Sequence, residues 1–198
     1  MSESGTREKV LLVIGDAAEV GDTIYPYYRV PEDGYEIVVA APEKRLYHLV
    51  QHELRPDWDI TVEMPGYHMK SDIAFRDIDP DQFLGMVISG GRAPEYLRYD
   101  EDLIRLVKQF DEAGKPIGSV CHGIEIVAMA DIIRGRRLTC VPKCKFDAEV
   151  CGGIWLDEAV VVDGNLVTAR VAQDNTEWMR EFMKVLNVAR DNKVRGVL

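Results

Sequence analysis

Cys121-His122-Gly123 places a thiol directly beside an imidazole. The thiolate form of such a side chain is a strong nucleophile. The triplet follows an apolar run, Ile117 to Val120, and precedes Ile124, Val127 and Ala128 at helical spacing. Gly118 and Gly123 flank the junction. This is the layout of a nucleophile elbow, a sharp strand-to-helix turn that lifts the reactive side chain above a sheet. Unpaired N–H groups at the start of the helix favour an anion, so a lowered thiol pKa is expected. Two other runs end on chemically useful residues: Lys9 to Ile14 leads into Asp16–Asp22, and Gly85 to Ile88 leads into Ser89-Gly90-Gly91. Ligands of open parallel sheets bind beyond the carboxyl ends of the strands, so these sets converge if the strands are neighbours. Gly90 and Gly91 permit close approach of a substrate. Together with the His122 N–H and Gly123 they form a candidate oxyanion or substrate-binding surface. A cysteine at a strand end is ordinarily an inert buried thiol; the elbow, the adjacent histidine and the glycine pair together favour the reactive reading.

The remaining cysteines and histidines point to no metal or cofactor. Cys140, Cys144 and Cys151 are separated by three and then six residues, with no Cys-x2-Cys pair and no histidine after them. That spacing argues against zinc and for small buried side chains. His48 and His52 are four apart, as helix-borne ligands can be, but no matching ligands lie nearby, so they read as exposed or hydrogen-bonded. His68, in Pro65-Gly66-Tyr67-His68, reads as a turn residue.

The elements that must position Cys121 are legible from hydrophobic pattern. Lys9–Ile14, Tyr35–Ala40, Gly85–Ile88 and Pro116–Val120 are continuous apolar runs, the habit of strands buried on both faces. Leu103, Leu106, Val107 and Phe110 form one helical stripe, capped by Asp100 and ended by Gly114 and Pro116. Trp178, Phe182, Val185, Leu186 and Ala189 mark a C-terminal helix. A first helix falls between Glu19 and Val30, with Pro26 expected to bend or shorten it. Val160–Thr168 reads as a hairpin turning at Asp163-Gly164. Strands alternating with helices imply an α/β sandwich: a mostly parallel sheet between helix layers, with an antiparallel edge hairpin. The expected organisation is one domain over 1–198, with a core at 8–190 and an excursion with short strands at 43–72.

The chain has 198 residues, 34 acidic and 24 basic, for a formal charge of −10. That balance argues against nucleic acid and anionic membrane surfaces as partners. No apolar run approaches the roughly 20 residues of a membrane span. The polar start, Met1 to Glu8, lacks the apolar region of a secretory signal, so a cytoplasmic location with reduced thiols is expected.

These residues resemble the ThiJ/PfpI family of the class I glutamine amidotransferase-like superfamily. The resemblance runs from Lys9-Val10-Leu11-Leu12 to Trp178-Met179-Arg180-Glu181-Phe182. It rests on Ile24-Tyr25-Pro26-Tyr27, Gly90-Gly91-Arg92-Ala93-Pro94-Glu95, Gly114-Lys115-Pro116-Ile117 and Val120-Cys121-His122-Gly123. It implies a flavodoxin-like sheet, Cys121 as nucleophile, and Glu19 opposite it as a protonated carboxyl bonded to the thiolate. Val20 follows Glu19 where the family often has an acid, and Asp22 compensates in part. In the protease-like branch, the resemblance makes His122 the base and Glu95 of a neighbouring subunit its orienting acid, within a homo-oligomer (dimer, trimer or hexamer). Arg92 reads as a surface residue. The 43–68 segment looks longer than in short archaeal members and nearer plant-type glyoxalase-like domains. Three activities follow as expectations. The first is cofactor-free glyoxalase or deglycase action on small reactive carbonyls in stress protection. The second is peptidase action through Cys121, His122 and Glu95. The third is a non-catalytic thiol oxidation sensor.

Overall fold

The computed structural model describes residues 7–196; the polar start Met1–Thr6 and the last two residues lie outside them. In chain order the elements are β1 (Lys9–Val13), α1 (Val20–Glu32), β2 (Glu36–Ala41), β3 (Leu46–Glu53), β4 (Val62–Lys70) and β5 (Ile73–Ala74). There follow β6 (Phe83–Ile88), α2 (Ala93–Leu97), α3 (Glu101–Glu112), β7 (Ile117–Val120) and α4 (Ile124–Met129). The chain closes with β8 (Arg137–Leu138), α5 (Lys145–Val150), β9 (Ile154–Trp155), β10 (Val160–Asp163), β11 (Leu166–Ala169) and α6 (Asn175–Val194).

The central sheet has the order β10-β11-β7-β6-β1-β2-β5, parallel throughout except for the edge strand β10. Helices α1 and α6 cover one face, and α3 and α4 the other. Val10, Leu11 and Leu12 of β1 and Met86, Val87 and Ile88 of β6 are therefore fully buried. Strand order reverses direction between β1 and β6, which makes the crevice beyond their carboxyl ends the switch point where ligands of such sheets bind. Close packing supports this crevice: at Gly118 on β7, a Cβ would lie 3.0 Å from the Phe182 ring and 3.2 Å from Trp178 of α6.

Several expectations need adjustment. Helix α1 runs through Pro26 and Pro31 to Glu32 instead of stopping. Proline at 26 cannot donate to the Asp22 carbonyl four residues back. The Ser89 hydroxyl donates to that carbonyl instead, at 3.4 Å, and itself accepts from Thr23 Oγ1 at 3.1 Å. The proline thus ties α1 to the end of β6. The β10–β11 hairpin turns at Gly164-Asn165, one residue later than expected, with φ +60° at Gly164. The Asn165 side chain anchors the turn to neighbouring segments. Its amide donates to Asp111 Oδ1 (3.1 Å) and to the Lys115 carbonyl (3.0 Å), and its Oδ1 accepts from Arg136 (2.8 Å). The excursion is a long antiparallel hairpin, β3 with β4, set apart from the main sheet. His48, His52 and His68 lie on its strands, so neither the helical spacing nor the turn at His68 applies; His48 and His68 instead pack edge to face, 4.4 Å between centroids. Among the described residues no helix is long and apolar enough to cross a membrane.

Candidate active site

Cys121 leaves β7 with φ +57°, a left-handed conformation that costs an L-residue on the order of 1–3 kcal/mol. The elbow is strained as expected, and its neighbours are glycines because nothing larger fits. At Gly123 a Cβ would sit 2.8 Å from Ser119 Oγ and 3.1 Å from the Ile88 carbonyl. At Gly90 it would sit 2.5 Å from Asp22 Oδ2 and 2.7 Å from Cys121 Cβ. Gly91 has φ +78°, and a Cβ there would strike the Ala17 carbonyl and the Glu19 nitrogen, each at 2.4 Å. The ends of β1, β6 and β7 are thereby drawn together, and Arg92 and Ala93 N–H groups donate to the Ala17 carbonyl at 2.8 and 3.2 Å.

The acid that faces Cys121 across Gly90 is Asp22. This corrects the placement of Glu19 opposite the thiol. Asp22 is fully buried in the first turn of α1. Its Oδ1 accepts from the Asn175 amide at 3.0 Å, and its Oδ2 has no hydrogen-bond partner. Burial, reinforced by the charge of Glu19, pushes its pKa up to about 7. The Glu19 carboxylate turns instead to the excursion hairpin. Its Oε2 accepts from the His52 backbone N–H at 3.1 Å and lies 2.6 Å from His52 Nδ1. His52 Nε2 lies 3.5 Å from Glu63, and the hydrogen bond to Glu19 first, then the two carboxylate charges, hold the imidazole above its ordinary pKa.

The thiol itself departs from expectation. Burial, helped by the charge of Asp22, raises the Cys121 pKa, although the backbone N–H groups of His122 and Gly91 pull it the other way. The six-residue α4 is too short to outweigh that burial. A resting thiol next to a ready base is the resulting arrangement. His122 Nδ1 lies 3.3 Å from Sγ, and burial, with the positive neighbours His52 and Lys143, keeps the imidazole pKa below its ordinary value. A neutral imidazole can accept the thiol proton as Sγ attacks.

Glu95, on α2, does not reach His122 within the chain. Its carboxylate pairs with Arg92, 3.3 Å from both Nε and Nη2, and Arg92 also approaches Glu63 at 3.7 Å. The Gly90-Gly91 corner and the His122 N–H do converge on the thiol, and they leave His122 and Gly91 N–H groups facing Sγ. His52 and Asn175 are the residues that sequence reasoning missed. Among the described residues, one metal-capable group adjoins the site: donor atoms of His122, Glu125 and Cys144 lie within 4.8 Å of one another. Cys140 and Cys151 are not part of it, and all four cysteines are free thiols.

A doubly wound α/β sandwich whose switch-point crevice holds a thiol on a strand–turn–helix elbow defines the class of this fold. Within that class, the chain belongs to the DJ-1/PfpI family, which it matches over residues 8–185. A deglycase of Pyrococcus abyssi is 39% identical over 178 residues, 90% of this chain and 99% of the relative. Deglycase PfpI of Pyrococcus furiosus is 35% identical over the same shares of both chains. Among solved structures, a two-domain protein of Anabaena variabilis, with DJ-1/ThiJ/PfpI-like and ferritin-like domains, superposes with a TM-score of 0.77. It is 27% identical, covering 91% of this chain and 50% of that one.

Proposed function

We propose that the chain is a cofactor-free, cysteine-dependent enzyme acting on small reactive carbonyls, of the glyoxalase or deglycase type. One observation carries the reading: an elbow thiol with a neutral base at 3.3 Å and a buried, protonatable acid facing it across Gly90. The deglycase names of relatives that align along nearly their whole length support it.

With methylglyoxal the steps balance without a cofactor. His122 takes the Cys121 proton as Sγ bonds to the aldehyde carbon, and the new oxyanion is held by the N–H groups of His122 and Gly91. Protonation of that oxygen gives a hemithioacetal. Asp22, titrating near 7, takes the proton from the former aldehyde carbon and returns it to the neighbouring ketone carbon, while the hydroxyl proton passes from the first oxygen to the second through the enediol, which leaves a lactoyl thioester on Cys121. Water hydrolyses the thioester to lactate and restores the thiol. Glu19 acts behind this site by holding His52 and the hairpin in place.

The peptidase alternative needs Glu95 from a second subunit to orient His122. The test is a side-by-side assay of methylglyoxal and unfolded casein. Lactate formation without casein cleavage is expected; casein cleavage that is lost in both Cys121→Ala and Glu95→Gln, with no lactate formed, would overturn the carbonyl reading. Localisation in the cytoplasm and assembly as a homo-oligomer belong to the same proposal.

A further inference from the structure

Behind the elbow, the first turn of α4 carries Glu125, 91% buried beside Cys144, which is itself almost wholly buried. Cys144 Sγ donates to Glu125 Oε1 at 3.7 Å, and Glu125 Oε2 has no hydrogen-bond partner. Arg98 approaches that oxygen only at 3.5 Å and shares its charge with Asp147 at 4.0 Å. A buried carboxylate with an unpartnered oxygen is costly unless something neutralises it. A ring nitrogen of His122 completes a cluster of three different donor atoms within 4.8 Å of one another. Around a tetrahedral zinc ion, ligand atoms lie about 3.3–3.8 Å apart. Closing the cluster onto one ion therefore asks for side-chain movements of about 1 Å, given those same bond lengths.

We propose that His122, Glu125 and Cys144 form an inhibitory site for a borderline divalent cation of the zinc type. Imidazole with thiolate selects such a cation over magnesium or calcium, which take oxygen ligands. Binding forms a metal–sulfur bond to Cys144 and releases its thiol proton to solvent. It also commits the His122 ring, which otherwise serves Cys121, so an occupied site silences the nucleophile without touching it. The inhibitory consequence rests on the carbonyl reading above; the binding itself does not.

The experiment titrates the purified full chain with zinc alone, against a chromogenic chelator. Wild type and Cys121→Ser are expected to take up one ion per chain, and Cys144→Ser and Glu125→Gln to bind at least about tenfold more weakly. Cobalt(II) in the Cys121→Ser background is expected to give thiolate-to-cobalt charge-transfer absorption, a readout that needs no change at Cys144. If Cys144→Ser binds zinc as wild type does, if Cys121→Ser alone loses it, or if the cobalt band is absent, the site is refuted. In turnover assays, stoichiometric zinc should inhibit wild type reversibly with chelator and spare Cys144→Ser. Loss of wild-type carbonyl turnover without zinc refutes the proposed function and leaves the metal inference standing.

Discussion

Cys121 and Asp22 are held on either side of one glycine, and much of the chemistry follows from that separation. Gly90→Ala would drive a methyl into both, so it should lower activity sharply even where the protein still folds, measured as turnover per folded molecule. Asp22→Asn keeps the Asn175 contact geometry but cannot relay a proton. It should reduce carbonyl turnover by about a hundredfold or more while leaving thiol labelling of Cys121 intact. Its effect on stability has a definite sign. The folded pKa, about 7, lies above the ordinary value of 3.8. The favourable contribution is therefore complete below pH 4 and is lost as pH rises through about 7. Wild type should lose on the order of 4 kcal/mol across that window relative to Asp22→Asn, read from denaturant unfolding at a series of pH values. Cys121, His122 and the glycine pair were legible in the sequence because a local strand–turn–helix pattern exposes them. The acid was not. Glu19 at the N-cap of α1 and Asp22 in its first turn are only three apart, and the close approach of Gly90 decides which one meets the thiol.

The parallel strands and the α3 and α6 stripes were readable because their hydrophobic periods are unbroken. Trp178 shows how α6 is fixed: it is fully buried, lies 3.2 Å from where a Gly118 Cβ would be, and donates its indole N–H to the Val167 carbonyl at 3.1 Å. Trp178→Ala should destabilise the fold by about 3–5 kcal/mol in chemical denaturation. The β3–β4 hairpin was opaque, since β4 is exposed along most of its length and a register shift between His48 and Val50 breaks the alternation. The contact that matters, His52 to Glu19, joins elements 33 residues apart, and no local pattern announces it. The raised His52 pKa again fixes a sign. The pair stabilises fully below the ordinary imidazole value of 6.5 and weakens as pH rises through the higher folded value. Wild type should therefore melt above His52→Ala at pH 6, with the gap narrowing at alkaline pH.

Across the whole molecule, a formal charge of −10 gives no general field to favour a thiolate. Ionisation of Cys121 has to be local: His122 at 3.3 Å, two backbone N–H groups, and an Asp22 that is neutral when protonated. Glu95 stays engaged with Arg92 in the single chain, so Glu95→Gln should leave carbonyl turnover largely unchanged. A matching loss of turnover in Glu95→Gln would instead place that acid at the His122 of a neighbour. The most direct test of the nucleophile is lactate formation from methylglyoxal by wild type, Cys121→Ala and Cys140→Ala under identical conditions. Wild type and Cys140→Ala are predicted to form lactate and Cys121→Ala to fall to the uncatalysed rate, whereas lactate formation at the wild-type rate by Cys121→Ala would contradict the account.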